Sequence, residues 1–279
     1  MQIARSEGWH DEGAASGDRF VAAPGAEGIE RLEAHLHGLA FAPHRHDTYA
    51  IGLTVSGVQS FHFRGERWHC LPGQCHLLHP DETHDGAAGN DAGFSYKMVY
   101  LDPSLVQDAL GGQPLPFVAN PIIEAAHLPE GLVQAIWDLD RDLDDVLAKI
   151  ELVTAVVTLL LGAAVEAGPK ARPLALERLS LVRELIGEAP AVRHSLAELE
   201  RLSGLDRWTL ARQFRAAFGI SPSRYRTLRQ LDEVRCLLKG GAALAEAAIA
   251  AGFADQSHMS RQFKLAYGLT PARWAAALA

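Results

Sequence analysis

The sequence predicts an α+β protein: a β-rich barrel or sandwich with following helices, then an all-α C-terminal domain of two helix-turn-helix modules. Three observations carry this. Between Glu30 and Pro103, apolar residues recur with period two in short runs broken by Gly, Pro and Asp. From Ser104 onward the spacing lengthens to three and four. Finally, Ala251–Trp274 repeats Ser203–Tyr225 at an offset of 49: Leu210 falls on Met259, Arg212 on Arg261, Phe214 on Phe263, Phe218 on Tyr267, Gly219 on Gly268, Pro222 on Pro271 and Tyr225 on Trp274. Two copies are too few for a solenoid and describe one module used twice.

Composition bounds the answer. A chain of 279 residues, 48% hydrophobic, is long enough for two cores. The N-terminus has no charged-then-apolar leader, and the most apolar run, Leu152–Val165, is short for a bilayer span, which needs about 20 residues. Cys70, Cys75 and Cys236 are too scattered for a disulfide framework and fit a reducing, cytoplasmic setting. The net charge of −8 hides an asymmetry: residues 175–279 carry 15 Lys and Arg against 10 Asp and Glu, the remainder 11 against 24.

In chain order, residues 1–28 are polar and Gly-rich, and a flexible start is expected there. Residues 29–103 form the β-rich unit, with corners at Gly57, Gly65, Pro72-Gly73 and Pro80-Asp81. Phe94, Tyr96, Met98 and Tyr100 alternate onto one strand face. Residues 104–167 are helical, opened by Asp102-Pro103 as cap and first position. There Ala148–Val165 is apolar almost all round and must be buried, against its own sheet or a second copy. The acidic string Asp138, Asp140, Asp142, Asp144 and Asp145 reads as the solvated side of a helix, since it lacks the Gly and terminal Glu of a calcium loop. Residues 168–174 form a Pro-rich linker, and 175–279 the double module.

Seven of the thirteen histidines lie between His44 and His84. His44 and His46 are two apart, so in a strand they face the same way, and His84 from a neighbouring strand end completes a candidate divalent-metal triad. Cys70 and Cys75 read as buried structural thiols.

The stretches PHRHDTY, GVQSFHFRG and LPGQCHLLHPDETHDG resemble the cupin-like barrel of AraC-type sensor domains. Cupin enzymes carry a carboxylate soon after His-x-His; here Ala50 and Ile51 stand in its place. The resemblance therefore implies an effector pocket without a resident cofactor, with His44, His46, Tyr49, Arg64, His84 and Tyr96 as ligand-binding residues. A divalent metal on His44, His46 and His84 is the alternative, and with it a metal-dependent cupin enzyme fused to a DNA-binding domain.

In the last third, Ser195 with Glu198 forms a capping box, and Asp206, Ser221 and Asp255 cap the following helices. Leu210, Phe214 and Phe218 form one core stripe; Met259, Phe263 and Tyr267 form the other. The outer faces keep Arg207, Trp208, Ala211, Arg212 and Arg215 in the first copy, and Gln256, Ser257, Ser260, Arg261 and Lys264 in the second. Arg and Gln can reach base edges in a major groove, and Ser can reach phosphates. GFADQSHMSRQFKLAYGLTPARW resembles the hallmark segment of AraC/XylS-type regulators. That resemblance implies a non-enzymatic transcription regulator, an activator, with double-stranded DNA, a small-molecule effector, RNA polymerase and a second copy of the chain as partners and no membrane. A ligand-independent DNA binder is the remaining alternative.

Overall fold

The computed structural model describes residues 18–164 and 173–276. The expected flexible start therefore lies outside the described residues as far as Gly17, and the linker lies outside them over 168–172.

Among the described residues, ten strands form two antiparallel sheets: β1 (Arg19–Ala26), β2 (Ile29–Leu36), β3 (Leu39–His44), β4 (Tyr49–Gly57), β5 (Gln59–Phe63), β6 (Glu66–Cys70), β7 (Gln74–Leu78), β8 (His84–Ala88), β9 (Phe94–Leu101) and β10 (Ile122–Glu124). One sheet runs β1-β2-β9-β4-β7-β10, the other β3-β8-β5-β6. Gly65, Pro72-Gly73 and Pro80-Asp81 lie in turns, Gly57 instead ends β4 at φ 70°, and Asp81 adopts the left-handed conformation at φ 61°. The sheets close over an interior of Leu36, Phe61, Phe63, Phe94, Tyr96 and Met98, with Tyr100 packed against it. Alternation on β9 sends Val99 and Leu101 to the other face.

Two strands lie where sequence patterning does not place them. β1 falls within the stretch expected to be flexible. Its side chains are mostly exposed, and pairing from Arg19↔His35 to Ala26↔Ile29 holds it at the sheet edge. β10 lies beyond the expected end of the β-unit and pairs with β7 over three residues, Ile122↔His76 to Glu124↔Gln74. Three residues are too few to show a period.

Helices α1 (Pro103–Leu110), α2 (Glu130–Trp137) and α3 (Val146–Ala163) cover the outer face of the six-stranded sheet. Asp102 caps α1 by accepting from the Ser104 amide at 2.8 Å. The acidic string is not helical: it spans the connection from Asp138, the C-cap of α2, to Asp145, the N-cap of α3. α3 buries Leu152, Val156, Leu159 and Leu160 against the sheet and neighbouring helices, yet leaves Val146, Leu147, Ile150 and Leu161 more than half exposed. It is long and apolar enough to cross a membrane by composition, and part of it is buried inside the protein.

The C-terminal domain comprises α4 (Leu176–Glu188), α5 (Leu196–Ser203), α6 (Arg207–Phe218), α7 (Pro222–Lys239), α8 (Leu244–Ala250), α9 (Gln256–Tyr267) and α10 (Pro271–Ala276). The Ser195–Glu198 capping box is complete, and Asp206, Ser221 and Asp255 each accept amide hydrogen bonds at the expected starts. Gly219 and Gly268 end α6 and α9 at φ 76° and 72°, a conformation a β-carbon disfavours. α7 runs between the modules, with Leu228, Leu231 and Val234 buried in one continuous core.

Candidate functional site

The two repeated helices present matching faces. On α6, Leu210, Phe214, Ala217 and Phe218 are buried, which turns Trp208, Ala211, Arg212 and Arg215 outward. Trp208 is 77% exposed, too open for a packing role. On α9, Met259, Phe263 and Ala266 are buried, Gln256, Ser257, Arg261 and Lys264 exposed, and Ser260 half-buried. Hydrogen bonds from Thr209, then the Trp208 amide, hold the Asp206 carboxyl below its ordinary value, so this cap stays charged.

Two of the ten expected contact residues carry partners that patterning does not reveal. Arg207 donates to Glu200 from both its backbone amide (2.8 Å) and Nε (3.3 Å). Arg215 is drawn out of its module: its Nη2 lies 2.9 Å from Asp81 Oδ2, on the barrel. The repeated glutamines are structural. Gln213 Oε1 accepts from the Ala175 amide and Gln262 Oε1 from Arg224 Nη1.

Inside the barrel mouth the three expected histidines do meet. β3 pairs with β8 so that His44 lies opposite His84. Ring centroids are 4.5 Å apart for His44–His84, 4.9 Å for His46–His84 and 6.2 Å for His44–His46. Each Nδ1 is tied to a carbonyl: His44 to Ala42 (2.8 Å), His46 to Thr48 (2.9 Å) and His84 to Glu82 (3.0 Å). A carbonyl only accepts, so each Nδ1 carries the proton and each Nε2 keeps its lone pair. His46 Nε2 is buried with no hydrogen-bond partner. Burial, followed by the neighbouring imidazole, pushes His46 down to about 3 and His84 well below its ordinary value; burial also lowers His44. The cluster is thus three neutral rings near pH 7. Among the described residues no group of three or more His, Cys, Asp or Glu is placed to hold a metal ion.

The remaining expected pocket residues divide. Tyr96 lies in the interior, stacked on Phe94 at 5.6 Å. Tyr49 does not: it packs in the helix-side core, its ring 5.4 Å from His79. Four consecutive residues of β4 are buried, so alternation gives no clue to which face Tyr49 takes. Arg64 is fully engaged. It clasps Glu82 through Nε (2.8 Å) and Nη2 (3.0 Å), donates to the Val118 carbonyl (2.9 Å) and lies over Phe63 and Phe117.

Two further residues line the interior beside the expected pocket residues. Tyr100 meets His46 edge-on at 5.4 Å, and its period-two relation to Tyr96 was the available signal. His76 is fully buried, with neither ring nitrogen hydrogen-bonded, beneath Gly52, where an added β-carbon would lie 2.0 Å from the ring. Burial pushes the Cys70 and Cys75 thiols up to about 11 and about 12, which suits structural rather than reactive cysteines.

Residues 28–156 match the AraC-like ligand binding domain, and residues 199–277 match a helix-turn-helix domain. The HTH-type transcriptional regulator YbfI of Bacillus subtilis, itself uncharacterized, is 26% identical over 243 residues, covering 82% of this chain and 88% of that protein. Among solved structures, ToxT from Vibrio cholerae superposes with a TM-score of 0.60 at 11% identity, covering 90% of this chain and 98% of its own. ToxT bound to (E)-4-(8-methylnaphthalen-1-yl)but-3-enoic acid gives 0.59 at 12%, over 93% and 99%. ToxT bound to an unsaturated fatty acid gives 0.58 at 12%, over 93% and 95%. At such low identity these likenesses establish the fold.

Proposed function

Since this chain is an AraC-type transcription regulator, an effector-responsive sensor joined to a DNA-binding domain, we propose that its effector binds at His44, His46 and His84 and that it activates transcription in the cytoplasm. The observation that carries the effector site is the cluster of three neutral imidazoles with a buried, unpartnered Nε2 on His46. A lone pair in that setting favours a hydrogen-bond donor on the ligand. Phe61, Phe63, Met98 and Tyr96 offer an apolar wall beside it. With Arg64 engaged by Glu82, an effector with an apolar body and a neutral donor group fits better than a simple anion. ToxT has been solved with a fatty acid and with an arylbutenoic acid, which supports an apolar body.

A thermal-shift screen of small molecules tests the site. The effector raises the melting temperature by mass action. His46→Ala and His84→Ala each abolish that shift while leaving DNA affinity within about twofold, since neither residue lies on the reading helices. If both variants still respond, the effector binds elsewhere. Stoichiometric iron or manganese in purified protein, lost on His44→Ala and His84→Ala, would instead favour the metal-dependent reading.

We assign the homodimer to α3. Leu147, Ile150 and Leu161, spaced for one helix face, project to solvent from a helix whose other side is packed on the sheet. Ile150→Glu is expected to convert a dimer to a monomer of 30.2 kDa, read by light scattering. A wild-type chain that is already monomeric at micromolar concentration contradicts this. RNA polymerase is the partner through which activation would act.

A further inference from the structure

The N-terminal domain rests on the C-terminal ends of both reading helices. At α6, the Leu115 amide donates to the Ala216 carbonyl at 2.9 Å, and a β-carbon on Gly219 would lie 2.6 Å from Pro80. At α9, the Arg45 amide donates to the Leu265 carbonyl at 3.1 Å, and Gly268 faces Ala42 and His44. Both contacts use helix-terminal carbonyls, or glycine caps that leave no side chain in the way. The N-terminal halves of α6 and α9 remain open.

Asp81 stands at the centre of this seam. Its carboxylate is 7% exposed. Oδ2 accepts from Arg215, while Oδ1 lies 3.4 Å from Arg45 Nη1 and 3.6 Å from Arg224 Nε. The network is incomplete: Asp81 Oδ1 and both Nε and Nη2 of Arg224 are buried without a hydrogen bond. A half-satisfied buried network is easier to exchange for another partner than a complete one. The turn is also wired to the histidines. The Asp81 amide donates to the His46 carbonyl at 2.8 Å, and neighbouring Glu82 supplies the carbonyl that holds His84.

Trp208, Arg212 and Arg215 share a helix face at successive spacings of four and three. Lys264 takes the same place in the second copy and Arg261 matches Arg212; among the described residues neither Lys264 nor Arg261 nor Arg212 is ion-paired. Of the cations on these two outer faces, Arg215 is the one paired with a carboxylate outside the helical domain. A carboxylate and a phosphate offer an Arg fork the same pair of acceptor oxygens.

We propose that Asp81 occupies on Arg215 the place a DNA phosphate would take, so that the sensor withholds one backbone contact from α6 until the turn carrying Asp81 moves. That effector occupancy of the histidine cluster drives the movement rests on the functional reading above; the pairing itself does not. Arg215 is then a conditional DNA contact and Asp81 its positioning residue.

The experiment uses the full chain, without effector, and a duplex of arbitrary sequence titrated over a range of KCl concentrations. Each phosphate contact adds about 0.9 to the slope of log K against log salt. Asp81→Asn removes the charge and keeps a residue that tolerates a left-handed backbone. It is expected to steepen the slope by about 0.9 and tighten binding about fivefold. Arg215→Ala added to it returns both to wild-type values, and Arg215→Ala alone changes neither. The proposal is overturned if Arg215→Ala lowers the slope equally in both backgrounds, if Asp81→Asn tightens binding equally without Arg215, or if Asp81→Asn changes nothing. Should Asp81→Asn fail to fold, the slope of Arg215→Ala alone decides. Because neither effector nor operator is used, this outcome is separate from that of the thermal-shift screen.

Discussion

Phe263→Ala is expected to cost the DNA-binding domain about 3–5 kcal/mol, the largest stability effect of any reading-helix substitution considered. The ring is fully buried and packs edge-on against Tyr267 at 4.6 Å and Trp274 at 5.8 Å. Its removal strips the contact that joins α9 to α10 and leaves a void between them. Such a loss approaches the whole stability of a small domain. The second module should therefore unfold at a lower urea concentration, with DNA binding lost in parallel. Met259→Leu, nearly volume-conserving, should cost less than about 1.5 kcal/mol. A Phe263→Ala midpoint close to that of wild type would mean that α9 is not packed as described.

The helical domain was legible because its signals are local. Asp206, Ser221 and Asp255 each name the start of a helix from one residue, and Gly219 and Gly268 name two ends. Aromatic residues at spacings of four fix the buried stripe, and a second copy at offset 49 confirms the face. The barrel was legible at its corners, where Gly57, Gly65 and Asp81 take left-handed backbone angles. Its edges were not. β10 is held by hydrogen bonds to β7, far earlier in the chain, and β1, though joined to β2 by a tight turn, is an edge strand whose exposed side chains leave no hydrophobic period.

The site follows the same division. His44 ends β3 and His46 lies in the connection that follows, so strand period alone does not place them on one side, and His84 joins them through the pairing of β8 with β3. Tyr49 takes the helix side of β4, a strand buried on both faces whose pattern does not distinguish the two. Arg64 has the right charge for a ligand contact, but the Glu82 that engages it is 18 residues away. Arg215 is exposed, off the buried stripe of α6. Its Asp81 partner, 134 positions earlier, could appear only once the two domains met.

The second large effect is on recognition. Arg212→Ala and Arg261→Ala are each expected to weaken sequence-specific binding by about 1–3 kcal/mol and to relax base choice nearby. Both side chains are exposed, occupy equivalent positions on α6 and α9, and carry no ion pair among the described residues. Neither takes part in the core, so neither variant should alter the unfolding midpoint.

The most direct test is selection of duplexes from a random-sequence library by the full-length protein and by these two variants. Two conserved segments are expected, with centres about one helical turn apart. Arg212→Ala should lose the preference in one segment and Arg261→Ala in the other. Enrichment of no sequence by the wild-type chain, or of the same two segments unchanged by both variants, would contradict the assignment of α6 and α9 as a paired DNA reader.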